Sequence, residues 1–229
     1  PEGDGWQGDV NTGRDQVAPW LAARGVRELD GVIISHAHYD HFGGLLWLVG
    51  KVPIHRLVDS GYEFAGWRDD HYDRELADFA RLREEFRARG AWQGAVAGDT
   101  LDLDPALHVE VIAPPPAFFH EPHPEQRPTN NPAAHYMLNS NSLMLRITHG
   151  DVVFLLPGDI EKADQARYLV PFVPPEKLRC DVLVAPGHGL HTASEFVAAT
   201  RPRVTVVSLF PRWLDSCSAL PEFTAIGSA

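Results

Sequence analysis

Residues Ser35–His41 read Ser-His-Ala-His-Tyr-Asp-His, which places four side chains able to bind a metal within six residues. The preceding residues Leu29–Ile34 have the pattern of a buried strand, and the following residues Phe42–Leu48 have that of a buried helix. Because side chains two apart in an extended chain project to the same side, His36 and His38 face one point. Imidazole and carboxylate groups suit zinc and other divalent first-row ions. Since a polar cluster ending a buried strand costs free energy unless something binds it, the stretch predicts a metal site on a strand-to-helix turn.

Two later strand patterns also end in residues that can bind a metal. The apolar run 152–156 leads through Pro157 and Gly158 to Asp159, and the run 181–185 leads to His188, which lies between two glycines. Flexible glycines let the backbone approach a metal closely. A Gly-Asp pair after a strand is by itself an ordinary turn. Asp159 is predicted to be a metal ligand because it follows the histidine motif in the chain.

The motif His-x-His-x-Asp-His, followed by these two segments, resembles that of the metallo-β-lactamase superfamily. The resemblance implies an α/β fold, an αββα sandwich, although part of the usual N-terminal strands is missing from this chain. It implies two Zn²⁺ sites, with Asp159 bridging both metals and with Asp40, Asp159 and His188 as the catalytic residues. His36 and His38 would bind one metal, whereas Asp40, His41 and His188 would bind the other. The implied metal ligands are His36, His38, Asp40, His41, Asp159 and His188.

A departure from the usual pattern points to one branch of this superfamily. Residues Asn139–Ser142 read Asn-Ser-Asn-Ser where most members have a histidine. This motif resembles the ComEC-like branch, named for the C-terminal domain of a DNA-uptake protein, in which Asn139 or Asn141 would replace the imidazole. Because an amide oxygen binds zinc more weakly than imidazole, one site would be weaker, with Mn²⁺ as an alternative there. Gly187 is a second departure, since that branch usually has a second histidine at this position.

The domain prediction is a single metallo-hydrolase domain over residues 1–216, with residues 217–229 as a tail. The tail shows no core pattern, and its last residues, Gly-Ser-Ala, resemble an expression-vector linker. Strand and helix patterns alternate along the rest of the chain, which favours a layered α/β architecture. Helices are predicted over residues 14–24, 73–89, 161–169 and 194–200, and strands over 52–58 and, as a pair, 100–112.

A long segment without a regular pattern, residues 113–138, runs into the asparagine motif and is predicted to form a wall of the substrate pocket. A proline-rich surface loop is the alternative interpretation. His191, three residues after His188, would either support that ligand or protonate a leaving group. The predicted pocket residues are Phe118, Phe119, His135, Tyr136 and His191.

Charge and composition disfavour some classes of substrate and partner. The formal net charge is −11, with 20 basic and 31 acidic residues, which disfavours long nucleic acids and favours a small-molecule substrate. No stretch approaches the ~20 apolar residues that cross a membrane, so no membrane partner is expected. The two cysteines form no disulfide framework or zinc motif, and a cytoplasmic location is the default expectation.

The leading functional hypothesis is binuclear metal-dependent hydrolysis of small phosphodiesters or phosphotriesters by a metal-bound hydroxide. No serine or cysteine has a clear partner base, which favours direct attack by water. Three alternatives stay open: a lactone or carboxylic-ester hydrolase, a ComEC-like nuclease, and a metal-binding domain that has lost catalysis.

Overall fold

The computed structural model describes residues 10–66, 70–121, 133–209, 211–217 and 220–229. The chain divides into two compact units, the first containing residues 1–61 and 68–94, and the second residues 62–67 and 95–229. The single domain over residues 1–216 stays a prediction. Among the described residues, no helix is both long enough and apolar enough to cross a membrane.

The first unit is built on a parallel three-stranded sheet in the order β1-β2-β3. Its strands are β1 (Val32–Ile33), β2 (Leu57–Asp59) and β3 (Trp92–Gly94). Its helices are α1 (Ala18–Ala23), which follows a π-helical turn at Gly13–Val17, α2 (Tyr39–Leu48) and α3 (Asp70–Ala88). Among the described residues no strand precedes β1, and residues 1–9 lie outside them.

Helix α2, which carries part of the histidine motif, is fixed by a close approach of two glycines. A Cβ atom added to Gly44 would lie 2.9 Å from the backbone nitrogen of Gly13. Real Cβ atoms do not approach backbone atoms that closely, so only glycine at position 44 permits this packing. On its other side, α2 buries Phe42 edge-to-face against Phe79 of α3, with ring centroids 4.9 Å apart.

The buried face of helix α3 contains charged residues as well as apolar ones. Phe79, Leu82 and Phe86 are buried as their helical spacing predicts, but so are Glu75 and Arg83. The Arg83 guanidinium binds both carboxylate oxygens of Asp59, at 3.1 and 3.0 Å. The Trp92 indole and the Gly61 amide also donate to that carboxylate, at 2.9 and 2.6 Å. This fully bonded ion pair joins α3 to the end of β2 and the start of β3.

The second unit contains a six-stranded mixed sheet in the order β4-β5-β6-β7-β8-β9. The pairs from β4 to β7 are antiparallel, whereas β7–β8 and β8–β9 are parallel. The strands are β4 (Thr100–Leu101), β5 (Leu107–Ala113), β6 (Met144–His149), β7 (Val152–Leu156), β8 (Val182–Val184) and β9 (Val204–Val206). The helices are α4 (Ala133–Ser140), α5 (Lys162–Asp164), α6 (Val170–Phe172), α7 (Pro175–Leu178), α8 (Ser194–Thr200) and α9 (Leu220–Ala225).

Two expectations differ from this structure. Residues 133–138, predicted as part of the irregular segment, belong to helix α4, which buries Ala134, Met137 and Leu138. Residues 122–132 of that segment lie outside the described residues. The tail shows no core pattern in the sequence, but Phe223 of α9 is 2% exposed and belongs to the main apolar cluster of the second unit. The sequence does not reveal this because one aromatic residue in a short helix produces no periodicity.

The buried ion pair generates a stability prediction for the first unit. Asp59→Ala should lower the free energy of unfolding by about 3–5 kcal/mol, because it leaves the buried Arg83 charge without its partner. Arg81→Ala is the control, since it removes an exposed guanidinium from the Arg81–Asp78 pair and should cost about 1 kcal/mol or less. Urea denaturation measures both values. Equal costs for the two variants would contradict this role of the ion pair.

Candidate metal centre

The histidine motif of the first unit occupies the turn between β1 and α2. His36 and His38 precede the helix and are buried, with 4% and 8% of their surfaces exposed. His38 is the extended residue before the first helical residue, Tyr39. Asp40 and His41 therefore lie in the first turn of α2, as predicted for a motif on a strand-to-helix turn. Asp40 is exposed and His41 is half-buried.

The ring nitrogens of this motif lie close to one another and to the Ser35 hydroxyl. Nε2 of His36 and Nδ1 of His38 face each other at 2.8 Å. The Ser35 hydroxyl lies 3.1 Å from Nδ1 of His36 and 3.3 Å from Nδ1 of His41. A hydroxyl that accepts from Nδ1–H selects the tautomer in which Nε2 carries the lone pair. We therefore assign Ser35 as a shared support of two candidate ligands. The role of Ser35 was not predicted from the sequence, although its position directly before the motif could have suggested it.

Helix α3 holds the same turn from a second direction. The Glu75 carboxylate accepts a hydrogen bond from the backbone amide of Tyr39, which is one of the amides that no helical carbonyl satisfies. The Tyr39 hydroxyl donates to Asp78 at 2.6 Å. Loss of hydration, together with this hydrogen bond, raises the pKa of Tyr39 above its usual range. The spacing of charged residues on α3 predicts only packing and solvated surface, so the contribution of Glu75 is not foreseen from the sequence.

In the second unit, parallel strand pairing brings two predicted ligands together. Strands β7 and β8 pair in parallel, with Phe154 opposite Val182, so the loops after their carboxyl ends are neighbours. Asp159 follows β7 and His188 follows β8, and Oδ2 of Asp159 lies 3.3 Å from Nε2 of His188. Nδ1 of His188 lies 2.7 Å from the Ser208 carbonyl oxygen, which can only accept, so Nε2 carries the lone pair.

The side chain of Gln165 ties these two loops to each other. Its amide nitrogen donates to the carbonyl oxygens of Ile160 and His191, at 2.6 and 2.8 Å. Its amide oxygen accepts from the Ala193 backbone amide at 2.8 Å. Gln165 is fully buried, so these bonds are protected from water. A lone glutamine in a helical stretch carries no recognisable signal, so its role is not predictable from the sequence.

Three side chains of the asparagine motif, Asn139, Asn141 and Ser142, form hydrogen bonds with neighbouring segments. The Asn139 amide nitrogen donates to Glu161 at 2.8 Å, and its buried oxygen has no hydrogen-bond partner among the described residues. Asn141 uses its whole amide group, because it accepts from the Phe119 amide at 2.9 Å and donates to the carbonyls of Phe119 and Met137. The Ser142 hydroxyl accepts from the Asp159 amide at 3.2 Å. Asn139 is thus the better candidate of the two for the weak ligand, which stays a prediction.

The backbone conformation and the surroundings of Gly187 disfavour a histidine at this position. Its φ is +54°, a conformation that residues with a side chain rarely adopt. A Cβ atom at this position would lie 3.0 Å from Cβ of His191. A second histidine at residue 187 would therefore be strained in this loop.

The residues predicted to line a substrate pocket pack among themselves and against other aromatic rings. Phe118 contacts Tyr62 edge-on with ring centroids 5.4 Å apart, and Phe119 contacts Tyr168 in the same way at 5.3 Å. His135 and Tyr136 of α4 form another edge-on pair at 5.2 Å, and His191 is exposed. Their role towards a substrate stays a prediction.

Comparison with known proteins decides the family. The family model of the metallo-beta-lactamase superfamily matches residues 5–195. The chain belongs to this superfamily. Its α/β fold class is thereby confirmed as metallo-β-lactamase-like. Among solved structures, the metallo-beta-lactamase fold protein YhfI from Bacillus subtilis is 14% identical, with a TM-score of 0.46, over 93% of this chain and 78% of YhfI.

Two relatives confirm the resemblance to the ComEC-like branch of the metallo-β-lactamase superfamily. ComE operon protein 3 of Bacillus subtilis (strain 168) is 26% identical over 88% of this chain. Competence protein ComA of Neisseria gonorrhoeae is 27% identical over 88% of this chain. The chain spans 23% of the length of each relative.

Both units of this metallo-β-lactamase superfamily member carry donors that fit a divalent metal. In the first unit these are the paired nitrogens of His36 and His38, with His41 and Asp40 beside them. In the second unit they are the Asp159 carboxylate and Nε2 of His188. Imidazole and carboxylate are the ligand types that zinc, manganese and iron accept. The side chains that could hold a metal ion include His36, Asp40, His41, Asp159 and His188.

The hydroxyl of Ser35 generates a prediction about metal affinity. Ser35→Ala removes the partner of Nδ1 in both His36 and His41, so zinc affinity should fall about 10–100-fold. Ser194→Ala is the control, because it removes an exposed hydroxyl that binds Glu222 in the second unit. Zinc titration against a competing chelator measures both. Unchanged affinity in Ser35→Ala would show that the hydroxyl does not orient the ligands.

The asparagine motif generates a second prediction. Asn141→Ala should increase hydrogen exchange at the Phe119 backbone amide, because that amide loses its acceptor. Asn139→Ala is the matched control, since it removes the bond to Glu161 and leaves the Phe119 amide bonded. Amide hydrogen exchange followed by NMR separates the two variants. If exchange at Phe119 were the same in both, the Asn141 amide would not be what holds this segment.

Proposed function

We propose that the chain is a binuclear metal-dependent hydrolase of small phosphodiesters or phosphotriesters. The observation that supports it most strongly is the buried pair of nitrogens, Nε2 of His36 and Nδ1 of His38, at 2.8 Å. The proposal of two bound metals rests on family membership and on the order of the motifs. Superfamily members are generally hydrolytic, which supports the reaction class.

Divalent ions, when bound, lower the pKa of coordinated water towards ~7 and neutralise charge on phosphoryl oxygens. The chain's own residues supply and orient the ligand atoms. His36 and His38 offer Nε2 and Nδ1, and Ser35 holds the first of these rings. His188 offers Nε2 because Ser208 occupies its other nitrogen. The backbone of Asp159 is held by the Ser142 hydroxyl, which stabilises the turn that presents the carboxylate.

Direct attack by water is favoured because the cysteines are poor nucleophiles. Burial, with the negative charge of Asp181, raises the pKa of the Cys180 thiol to about 12, so its thiolate is scarce at neutral pH. The Cys217 thiol is buried and donates to the Gly189 carbonyl at 3.4 Å. The Ser142 hydroxyl, next to the Gly-Asp turn, is fully buried and already accepts a hydrogen bond from the Asp159 amide.

The preference for small substrates rests on charge. A net charge of −11 repels a long polyanion, whereas a neutral phosphotriester avoids this repulsion. We propose Zn²⁺ as the cofactor, with Mn²⁺ as the alternative at the weaker site. Phe118 and Phe119 offer apolar surface for an aryl leaving group, and a good leaving group reduces the need for a general acid.

A ComEC-like nuclease is the second candidate. The Asn-Ser-Asn-Ser motif and the relatives named ComE operon protein 3 and Competence protein ComA favour it. A lactone or carboxylic-ester hydrolase would use the same ligands to polarise a carbonyl group. A domain that binds metal without catalysis is the remaining candidate, and the nearly complete ligand set weighs against it.

A substrate panel with zinc or manganese added tests the proposal. We expect turnover of bis(4-nitrophenyl) phosphate or an aryl phosphotriester, and little of plasmid DNA at physiological salt. Asp159→Ala should reduce kcat/KM at least about 100-fold, since it removes the predicted bridging ligand. Lys162→Ala, an exposed change three residues away, is the control and should retain activity.

Three outcomes would redirect the assignment. Efficient cleavage of plasmid DNA would favour the nuclease, and turnover of lactones alone would favour the carboxylic-ester hydrolase. Metal binding without turnover of any substrate would favour the domain that has lost catalysis.

A further inference from the structure

A surface cleft of about 490 Å³ in the second unit is lined by four arginines. This is unusual in a chain with 20 basic and 31 acidic residues. The cleft lies beside the starts of strands β8 and β9. The arginines share this cleft with two acidic side chains, Glu176 and Asp181. The four arginines are Arg146, Arg179, Arg201 and Arg203.

The two loops that carry three of these arginines are fixed side by side. The Cys180 amide donates to the Thr200 carbonyl at 3.2 Å. The Arg203 amide donates to the Asp181 carbonyl at 2.9 Å, and the Val204 amide donates to the same oxygen at 3.0 Å. The backbone that presents the guanidinium groups is therefore held in place by strand pairing and does not need to be ordered by a ligand.

Of the four arginines of this cleft, only Arg146 has side-chain hydrogen-bond or ion-pair partners among the described residues. Within the described residues, the side chains of Arg179, Arg201 and Arg203 form no ion pair or hydrogen bond. Arg146 binds Glu110 at 3.4 Å and Thr148 at 2.9 Å through Nη1, while its buried Nε has no partner there.

The acidic side chains do not cancel this charge. Asp181 directs one carboxylate oxygen to the Val153 amide at 2.9 Å, and Glu176 is exposed. The lining thus carries four guanidinium groups and two carboxylates, and Arg146 is already paired with Glu110, so an excess of positive charge comes from Arg179, Arg201 and Arg203.

We propose that this cleft is a binding site for a small organic phosphate. Guanidinium groups present planar pairs of N–H donors that match phosphate oxygens, and three arginines without an anionic partner suit a ligand that carries two charges. The cleft volume lies in the range of small-molecule sites, about 300–1,000 Å³, and exceeds what one phosphate group needs.

The proposed phosphate site is separate from the candidate metal ligands of the same unit. Asp181 precedes β8 and His188 follows it, so the two sites lie beyond opposite ends of this strand. Arg203 likewise precedes β9. A ligand here would not occupy the position of a hydrolysed bond, so the proposal does not depend on the hydrolase function.

Isothermal titration calorimetry of the full chain with glycerol 2-phosphate tests the proposal, with glycerol as the uncharged reference ligand. Arg179→Gln/Arg203→Gln should weaken binding at least about tenfold, because charge-assisted hydrogen bonds are lost. Arg24→Gln/Arg27→Gln is the matched control: it makes the same change in net charge at exposed residues of the first unit, and should change the Kd less than about twofold. Arg179→Lys/Arg203→Lys keeps the charge without the paired donors and should give an intermediate Kd.

Two further measurements distinguish this cleft from the metal ligands and from a nucleic-acid surface. Asp159→Ala/His188→Ala should bind glycerol 2-phosphate as the unaltered chain does, since the metal ligands are not involved. Absence of binding to the unaltered chain would overturn the proposal, as would equal weakening in the cleft and control variants. If a 20-nucleotide single strand binds through these arginines while glycerol 2-phosphate does not, the cleft is a nucleic-acid surface and the proposal is wrong.

Discussion

Parallel strand pairing is the constraint on which the candidate ligands of both units depend. In the second unit, β7 and β8 run side by side in the same direction, so the loops after them meet and bring Asp159 to 3.3 Å from His188. In the first unit, β1 is parallel to β2, and the histidine motif begins at His36, three residues after β1 ends. These strands are short, but they are enough to position the ligand residues because other contacts hold the loops that follow them. Gln165 joins the two loops of the second unit, and Glu75 of α3 holds the start of α2.

Much of the fold was predictable from local patterns. The spacing of Phe79, Leu82 and Phe86 indicated the buried face of α3, and α8 begins and ends at the predicted residues. The ligand motif was predictable because four polar, metal-binding side chains at the end of a buried strand are costly to bury unless they bind an ion. The order of the motifs then indicated the superfamily, which the match over residues 5–195 confirms.

The supporting residues were not predictable, and the reason is physical. Ser35, Glu75 and Gln165 act through individual side-chain hydrogen bonds, and such contacts leave no periodic signal. Polar residues on a helix are normally solvated, so the burial of Glu75 and Arg83 opposes the usual pattern. Net charge was also a poor guide to local charge, because a chain at −11 concentrates four arginines around one cleft. The ordered structure of α9 depends on Phe223 reaching a core built by residues far away in the chain.

The central claim is that His38 of the first unit and His188 of the second are ligands of divalent metal. Elemental analysis of the purified chain, equilibrated with zinc and then dialysed, tests it most directly when two single variants are measured beside it. The account predicts between one and two zinc ions per chain, and a loss of metal both in His38→Ala of the first unit and in His188→Ala of the second. Absence of bound zinc or manganese in the unaltered chain would contradict it. Full metal content in either variant would show that the altered histidine is not a ligand.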